Sequence, residues 1–222
     1  GSDAAQWCAD VISARTPAPV MVEDSFTIND DYVWEGGTSY LKAVWQILDA
    51  GGFVLKVDGD GTIHIKKMPT EPFLTIGREN DNVLMPSVDY EQDYTNVHNV
   101  YYAVENGYSA KAVNDDVDSI VSTVSRGYEH MMYDDNVIRI NGENLEDYAA
   151  RCLEEESIVE KEFSMQMEHQ DGIAPFELIE FNKPGLVQDN LRIKSYTVNT
   201  EHGLLYDIKL AQEVRLWTRK TS

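Results

Sequence analysis

A chain of 222 residues that is 42% hydrophobic can bury one large core or two modest ones, which excludes disorder as its default state. Its 39 acidic residues against 18 basic ones give a formal charge of −21 at pH 7, which argues against a grip on a phosphate backbone, since that needs clustered Lys and Arg. No stretch approaches the roughly 20 apolar residues of a membrane span, and no charged-then-apolar export pattern opens the chain.

Gly1-Ser2 reads as a cloning remnant, so the natural protein is expected to continue upstream of Asp3. Asp3–Arg15 places Ala4, Trp7, Cys8, Val11 and Ile12 at helical spacing, with Asp3 as N-cap and Arg15 near the negative end. Thr16-Pro17-Ala18-Pro19 stops that helix, and a short strand is expected at Phe26–Ile28. Over Tyr40–Ala50, Leu41, Val44, Trp45 and Leu48 form a second helical stripe, with Gly51-Gly52 where a left-handed C-cap is wanted. Phe53, Leu55 and Val57 then alternate with polar or outward positions, and the alternation resumes at Ile63 and Ile65 after Asp58-Gly59-Asp60-Gly61, which reads as a hairpin. Prolines 69, 72 and 86 with polar Arg78–Asn82 mark a connection between domains.

From Val88 the texture turns to β. Val97, Val100, Tyr102 and Val104 mark a first long strand; Ile120–Val124, His130–Tyr133 and Val137–Ile140 are further candidates. Asn144 is expected to cap a helix over residues 144–156 whose stripe is Leu145, Tyr148, Ala149, Cys152 and Leu153, leaving Glu154, Glu155 and Glu156 wet. Strands follow at Val159–His169, Phe176–Phe181, Leu191–Thr200 and Leu204–Leu216, with turns at Lys183-Pro184-Gly185 and Glu201-His202-Gly203. The pattern implies a β-rich α+β chain. Residues 1–85 form a small α/β domain of two helices and a hairpin, and residues 86–222 an antiparallel β-barrel or sandwich with one packed helix.

No residue set assembles a catalytic site, a metal site or a cofactor site. Asp58-Gly59-Asp60-Gly61-Thr62-Ile63 has the look of a calcium loop, yet in that register the first and twelfth ligand positions are Lys56 and Lys67. Glu154–Glu156, with Glu160 and Glu162, read as a solvated face, since consecutive helical carboxylates point apart instead of opposing one another across a cleft. His64, His98, His130, His169 and His202 are isolated, and Cys8 and Cys152 lie far apart with no Cys or His at ligand spacing, so neither zinc nor a disulfide framework is indicated. The aromatics Tyr32, Trp34, Tyr40, Tyr90, Tyr94, Tyr101 and Tyr102 could build a sugar-binding platform, but stripes at strand spacing are more often core.

The order of these parts carries a resemblance. Gly37-Thr38-Ser39-Tyr40-Leu41 leads through the helix to Gly52-Phe53-Val54-Leu55, and the Asp58–Ile63 turn follows. Asn96-Val97-His98-Asn99-Val100 then enters the β region, followed by Asn114-Asp115, Ser122-Thr123, Arg126-Gly127 and Leu145-Glu146-Asp147-Tyr148-Ala149. Together they resemble the hub proteins of bacteriophage baseplates, the late-control gene D family and its tail-hub relatives, over most of the chain. The resemblance implies tube-like β-barrels, two per subunit, assembled as a homo-trimeric ring that continues the hexameric tail tube. Only one such barrel is visible in this sequence, so the other is expected upstream. It further implies a non-enzymatic part of the virion tail, assembled in the bacterial cytoplasm, that joins tube to spike. Tube, spike, distal tail and tape-measure proteins would be its partners, and specific nucleic-acid binding would not be among its activities. An equivalent part of a phage-derived contractile injection or secretion device, and a carbohydrate-binding β module, are the alternatives.

Overall fold

The computed structural model describes residues 3–29, 32–76, 83–88, 94–183, 187–200 and 205–219. In chain order the elements are α1 (Ala4–Ser13), β1 (Val20–Val22), α2 (Tyr40–Ala50), β2 (Phe53–Val57), β3 (Ile63–Lys67), β4 (Pro72–Ile76), β5 (Val83–Val88), β6 (Val100–Glu105) and β7 (Tyr108–Val113). They continue with α3 (Thr123–Arg126), β8 (Met131–Asp134), α4 (Leu145–Glu156), β9 (Ile158–Glu168), β10 (Leu178–Lys183), β11 (Val187–Asn199) and β12 (Leu205–Arg215). The chain is a β-rich α+β protein, as its pattern implies. Two compact units emerge: one gathers Gly1–Met68, His98–Asp115 and Gly127–Leu153, the other Pro69–Val97, Asp116–Arg126 and Glu154–Ser222.

In the first unit, the Asp3 carboxylate caps α1 by accepting the N–H groups of Ala5 at 3.0 Å and Gln6 at 3.2 Å. Ser39 caps α2 by accepting the N–H of Lys42 at 3.2 Å. The stripe of α2 is rotated from the expected one: Ala43, Val44, Ile47 and Leu48 are buried, while Leu41 and Trp45 are exposed. Gly51 ends the helix in a right-handed conformation and Gly52 takes the positive φ of 67°. A Cβ on Gly51 would stand 2.5 Å from the Phe26 ring, so close approach is what requires glycine there. β2 and β3 form the expected hairpin, and β1 adds to β3 in parallel, giving the order β1-β3-β2. The expected strand at Phe26–Ile28 is reduced to isolated bridges, Thr27 to Asp3 and Ile28 to Ile140. Ala5, Cys8, Val44, Ile47, Leu48, Phe53, Ile65 and Ile138 meet in one core, each side chain of Leu or Ile size contributing about 1.5–3 kcal/mol by leaving water.

A second sheet of that unit has the order β7-β6-β8. Asn106 and Gly107 both take positive φ, 51° and 83°, and so supply the reversal between β6 and β7 that two-residue hairpins favour. β8 joins β6 in parallel from a distant part of the chain. The Asn144 side chain caps α4 by accepting the N–H of Asp147 at 2.8 Å, as expected. Tyr148, Ala149, Cys152 and Leu153 are buried as the stripe requires, with Ala150 joining them. Leu145 and Glu154 are half-buried, the latter because its carboxylate accepts the N–H of Arg219 at 2.6 Å.

The second unit is built on one sheet of order β4-β10-β11-β12-β9-β5. Period-two alternation puts Phe163, Met165 and Met167 of β9 on one face, opposite Leu210, Ile208 and Tyr206 of β12. Ile193, Leu191, Ile179 and Ile76 extend the same apolar cluster across β11, β10 and β4. The strands β9 to β12 follow the expected ranges closely. Among the described residues β4 and β5 share no ladder, so the three sheets are open and no closed barrel is formed. Two expectations are corrected. Pro69–Pro86 is no mere connection but contains β4 and β5, whose prolines sit at a strand start and on sheet edges, where a missing N–H is tolerated. Ile120–Val124 is not a strand but a turn leading into α3. Pro184-Gly185 of the first expected turn, the turn Glu201-His202-Gly203 and all of Arg78–Asn82 lie outside the described residues.

Candidate functional site

Charged and aromatic residues singled out by the sequence go mostly to local structure. In the β2–β3 turn, the Asp60 carboxylate accepts the N–H of Thr62 at 2.9 Å, and that backbone hydrogen bond holds it below the usual carboxylate range. Asp58 faces Lys56 at 3.7 Å and His64 at 3.0 Å, while the other ring nitrogen of His64 meets Glu23 at 2.7 Å. These carboxylates are held by side chains and backbone around the hairpin. His98 and His130 meet with tilted rings at 4.5 Å between centres, and His169 lies 3.9 Å from Asp171; His202 is outside the described residues. Among the described residues no three His, Cys, Asp or Glu side chains gather as metal ligands.

The aromatic residues divide. Trp34 stacks on Trp7 at 5.3 Å, meets Tyr32 edge-on at 4.8 Å and donates its Nε1 proton to Gln46 at 3.0 Å, so its ring is packed and not presented as a sugar platform. Tyr40 is covered by the Arg15 guanidinium, 3.2 Å from its ring centre. Tyr32 lines a cavity of 370 Å³ together with Glu105, Asn106, Asn136 and Arg139, and burial, with Asp134 and Asp135 nearby, raises its hydroxyl pKa. Within that wall Arg139 is held by Glu105 at 2.8 Å. Adjacent Tyr101 and Tyr102 face opposite sides of β6, as a strand demands: Tyr101 is buried, whereas Tyr102 stacks on exposed Tyr133 at 6.1 Å. Tyr94 is half-buried and Tyr90 is outside the described residues.

A polar network fixes α4 on the β7-β6-β8 sheet. Tyr101 and Tyr148 both donate to the Asp134 carboxylate, at 2.8 Å and 2.6 Å, and their rings meet edge-on. Burial first, then neighbouring Cys152 and Asp134, pushes both phenols well above their ordinary range, so they remain donors. Cys8 is likewise raised to about 12 by burial and by the charge of Asp3, which leaves it an inert core thiol. Both cysteines are free and buried.

The residues that sequence reasoning used only as spaced markers turn out to be structural anchors. Asn99 is fully buried: its side chain donates to the Tyr128 carbonyl at 3.0 Å and accepts the N–H of His130 at 2.7 Å, which ties β6 to the approach of β8. Its own carbonyl accepts the N–H of Asn114 at 2.8 Å. Arg126 donates to the carbonyl oxygens of Val97, at 2.7 Å, and Tyr94. Solved structures share the fold along nearly the whole chain. A tail protein of Neisseria meningitidis superposes with a TM-score of 0.63 at 12% identity, covering 96% of this chain and 67% of that one. The chain shares its fold with tail proteins. A prophage tail protein of Shewanella oneidensis gives 0.55 at 14% identity over 96% of this chain and 62% of its own, and one of Listeria monocytogenes gives 0.50 at 14% over 93% and 64%. The chain thus spans about two thirds of the length of these tail proteins. No protein-family profile and no curated protein matches it.

On a fold of this kind, the surface is where function is to be sought. Exposed large apolar side chains include Val117, Ile120 and Val124 on the segment before and within α3, and Tyr102's neighbours Met131 and Tyr133 on β8. Sequence reasoning took Ile120–Val124 for a strand and so missed this presentation. The signal for it was the run Asp115-Asp116-Val117-Asp118-Ser119, whose polar residues favour a turn.

Proposed function

We propose that this chain is a non-enzymatic structural part of a phage or prophage tail, specifically of the baseplate hub, where it forms part of a homo-trimeric ring joining tail tube to spike. The observation that carries this reading is the fold likeness to tail proteins over 96% of the chain at a TM-score of 0.63. Two physical features support it. The edge strands β4 and β5 of the six-stranded sheet are each paired on one side among the described residues, which leaves backbone groups suited to strand pairing with a neighbouring subunit. The net charge of −21 suits a part near a DNA conduit, since an acidic lining repels phosphate. The division into a small α/β domain at residues 1–85 and a β domain at residues 86–222 belongs to the same proposal.

The experiment is localisation combined with stoichiometry. Tails released from an induced lysogen carrying the gene are labelled with antibody against the chain, and the purified chain is weighed by light scattering alone and with its tube and spike proteins. Label at the tube–spike junction and a trimer in the presence of those partners are expected. Label along the tail shaft, or its absence from tails, overturns the hub assignment.

A further inference from the structure

Three segments of the first unit border one cavity of 370 Å³: Ile28 with Tyr32, the end of β6 at residues 104–106, and residues 135–139 after β8. Ligand pockets run from about 300 to 1,000 Å³, so this one suits a small group. Its frame is fixed by contacts within the chain. The Arg139 carbonyl accepts the N–H of Asn29 at 2.9 Å, the Thr27 carbonyl accepts that of Asn141 at 2.9 Å, and the Arg139 guanidinium holds Glu105 at 2.8 Å. Val137 and Ile138 of the lining are buried, and Ile138 belongs to the core shared with Ile47 and Ile65. A cavity framed in this way is preformed, which spares a ligand the cost of ordering it.

Charge around this cavity is locally unbalanced. Glu105 is matched by Arg139, whereas Asp135 is exposed and the half-buried Asp134 beside it meets only neutral donors: the Tyr101 and Tyr148 hydroxyls, at 2.8 Å and 2.6 Å, and the Asn136 N–H at 2.8 Å. Among the described residues neither Asp134 nor Asp135 forms an ion pair. Tyr32 registers the imbalance: burial first, then the charges of Asp134 and Asp135, holds its proton above the ordinary phenol range. We infer that the cavity binds a primary alkylammonium group, its carbon stem against Val104, Val137 and Ile138 and its charge at Asp135 and the Tyr32 hydroxyl. That hydroxyl lies 3.4 Å from the Asn136 carbonyl, to which it donates, and keeps its lone pairs for an ammonium proton. A neutral group of the same shape would leave both carboxylates unmatched, and an anion would be repelled by them. A lysine side chain of a neighbouring protein and a free polyamine both carry this chemistry. The site would be the same whatever assembly the chain joins.

The test titrates the isotope-labelled chain with n-butylammonium and with its neutral counterpart n-butanol, reading the backbone amide resonances. Butylammonium is expected to move the amides of residues 104–106 and 135–139, with butanol binding about tenfold more weakly. Asp135→Asn, a change at an exposed side chain, should weaken butylammonium about fivefold at an unchanged thermal midpoint, whereas Asp171→Asn, at an exposed carboxylate outside the cavity lining, should bind it like wild type. N-acetyl-lysine methylamide and putrescine then separate the sources: tighter binding of the first assigns the cavity to a lysine side chain, tighter binding of the second to a polyamine. Butanol binding as well as butylammonium, equal losses for Asp135→Asn and Asp171→Asn, or no shift at these amides overturns the inference and leaves the tail reading untouched.

Discussion

The two units bury their cores by different means. In the first, α1 and α2 cover the β1-β3-β2 sheet, and α4 is tied to the β7-β6-β8 sheet by two phenols on one carboxylate. In the second, a single apolar face spans five strands, and the largely buried Arg192 is satisfied by Glu213 at 2.5 Å and by the carbonyls of Phe176 at 2.9 Å and Pro69 at 3.2 Å. Alternation within strands organises the second core, whereas the first depends on contacts between segments remote in sequence. Point changes in the first should therefore loosen several segments at once, and those in the second should act along one sheet.

Truncation of a core residue in each unit gives the largest effect. Leu48→Ala in the first and Ile208→Ala in the second should each cost about 2–5 kcal/mol, because both side chains are at most 1% exposed and leave a cavity. Amide exchange distinguishes them: Leu48→Ala should expose α1, α2 and β3, and Ile208→Ala the β9, β11 and β12 amides. Loss of protection spread evenly over both units in either variant would erase the contrast.

The polar anchors come next. Tyr148→Phe leaves the Asp134 carboxylate with one phenol donor fewer and should cost about 1–3 kcal/mol in chemical denaturation, and Arg192→Met, which takes the donor from two half-buried carbonyls, about the same. If Tyr148→Phe is neutral, α4 is held by apolar packing alone and the first unit resembles the second more than proposed.

Alkaline pH sharpens the same contrast. Cys8, Tyr101 and Tyr148 all hold their protons more tightly when folded than when unfolded, from ordinary values of 9.0 for the thiol and 10.0 for the phenols. Above about pH 9 the unfolded state binds fewer protons than the folded one, so the stability these groups confer is complete below pH 9 and declines as the pH climbs, for Cys8 through about 12. Urea midpoints between pH 7 and 11 should fall, and Tyr148→Phe should flatten that fall. Midpoints that hold level across the range would contradict the buried network. The smallest effect belongs to the surface: Lys111→Ala removes the pair with Glu129, whose side chains are 37% and 47% exposed, and should change stability by about 0–1 kcal/mol.

Legibility in the sequence followed these same lines. The last four strands could be read almost to their ends, because Phe163, Met165 and Met167 alternate with polar residues and such a face needs no other information. α2 was legible as a helix, but its buried stripe was not: Trp45 and Leu41 are as apolar as Ile47 and Ala43, and the choice among them depends on where the neighbouring elements stand. β1 escaped because it is short and pairs in parallel with a strand far along the chain, and a parallel ladder leaves no turn signature, whereas β8 was legible as His130–Tyr133, one residue from its bounds. Asn106-Gly107 did carry a hairpin signature, which the reading of a strand through Val104 left unused. At the candidate surface, composition exposed the acidic turn residues but could not say that Val121 is turned in while Val117, Ile120 and Val124 are turned out.

By itself the sequence determined the β-rich α+β class, the capped helices and the strong acidity, because caps, periodicity and charge are local or additive properties. Chain packing makes anchors of Asn99, Asn114 and Arg126, brings Tyr148 to Asp134, and turns Val121 inward while Val117, Ile120 and Val124 stay exposed. Each of those facts requires two segments to meet, and which segments meet is fixed by the packing of the whole chain.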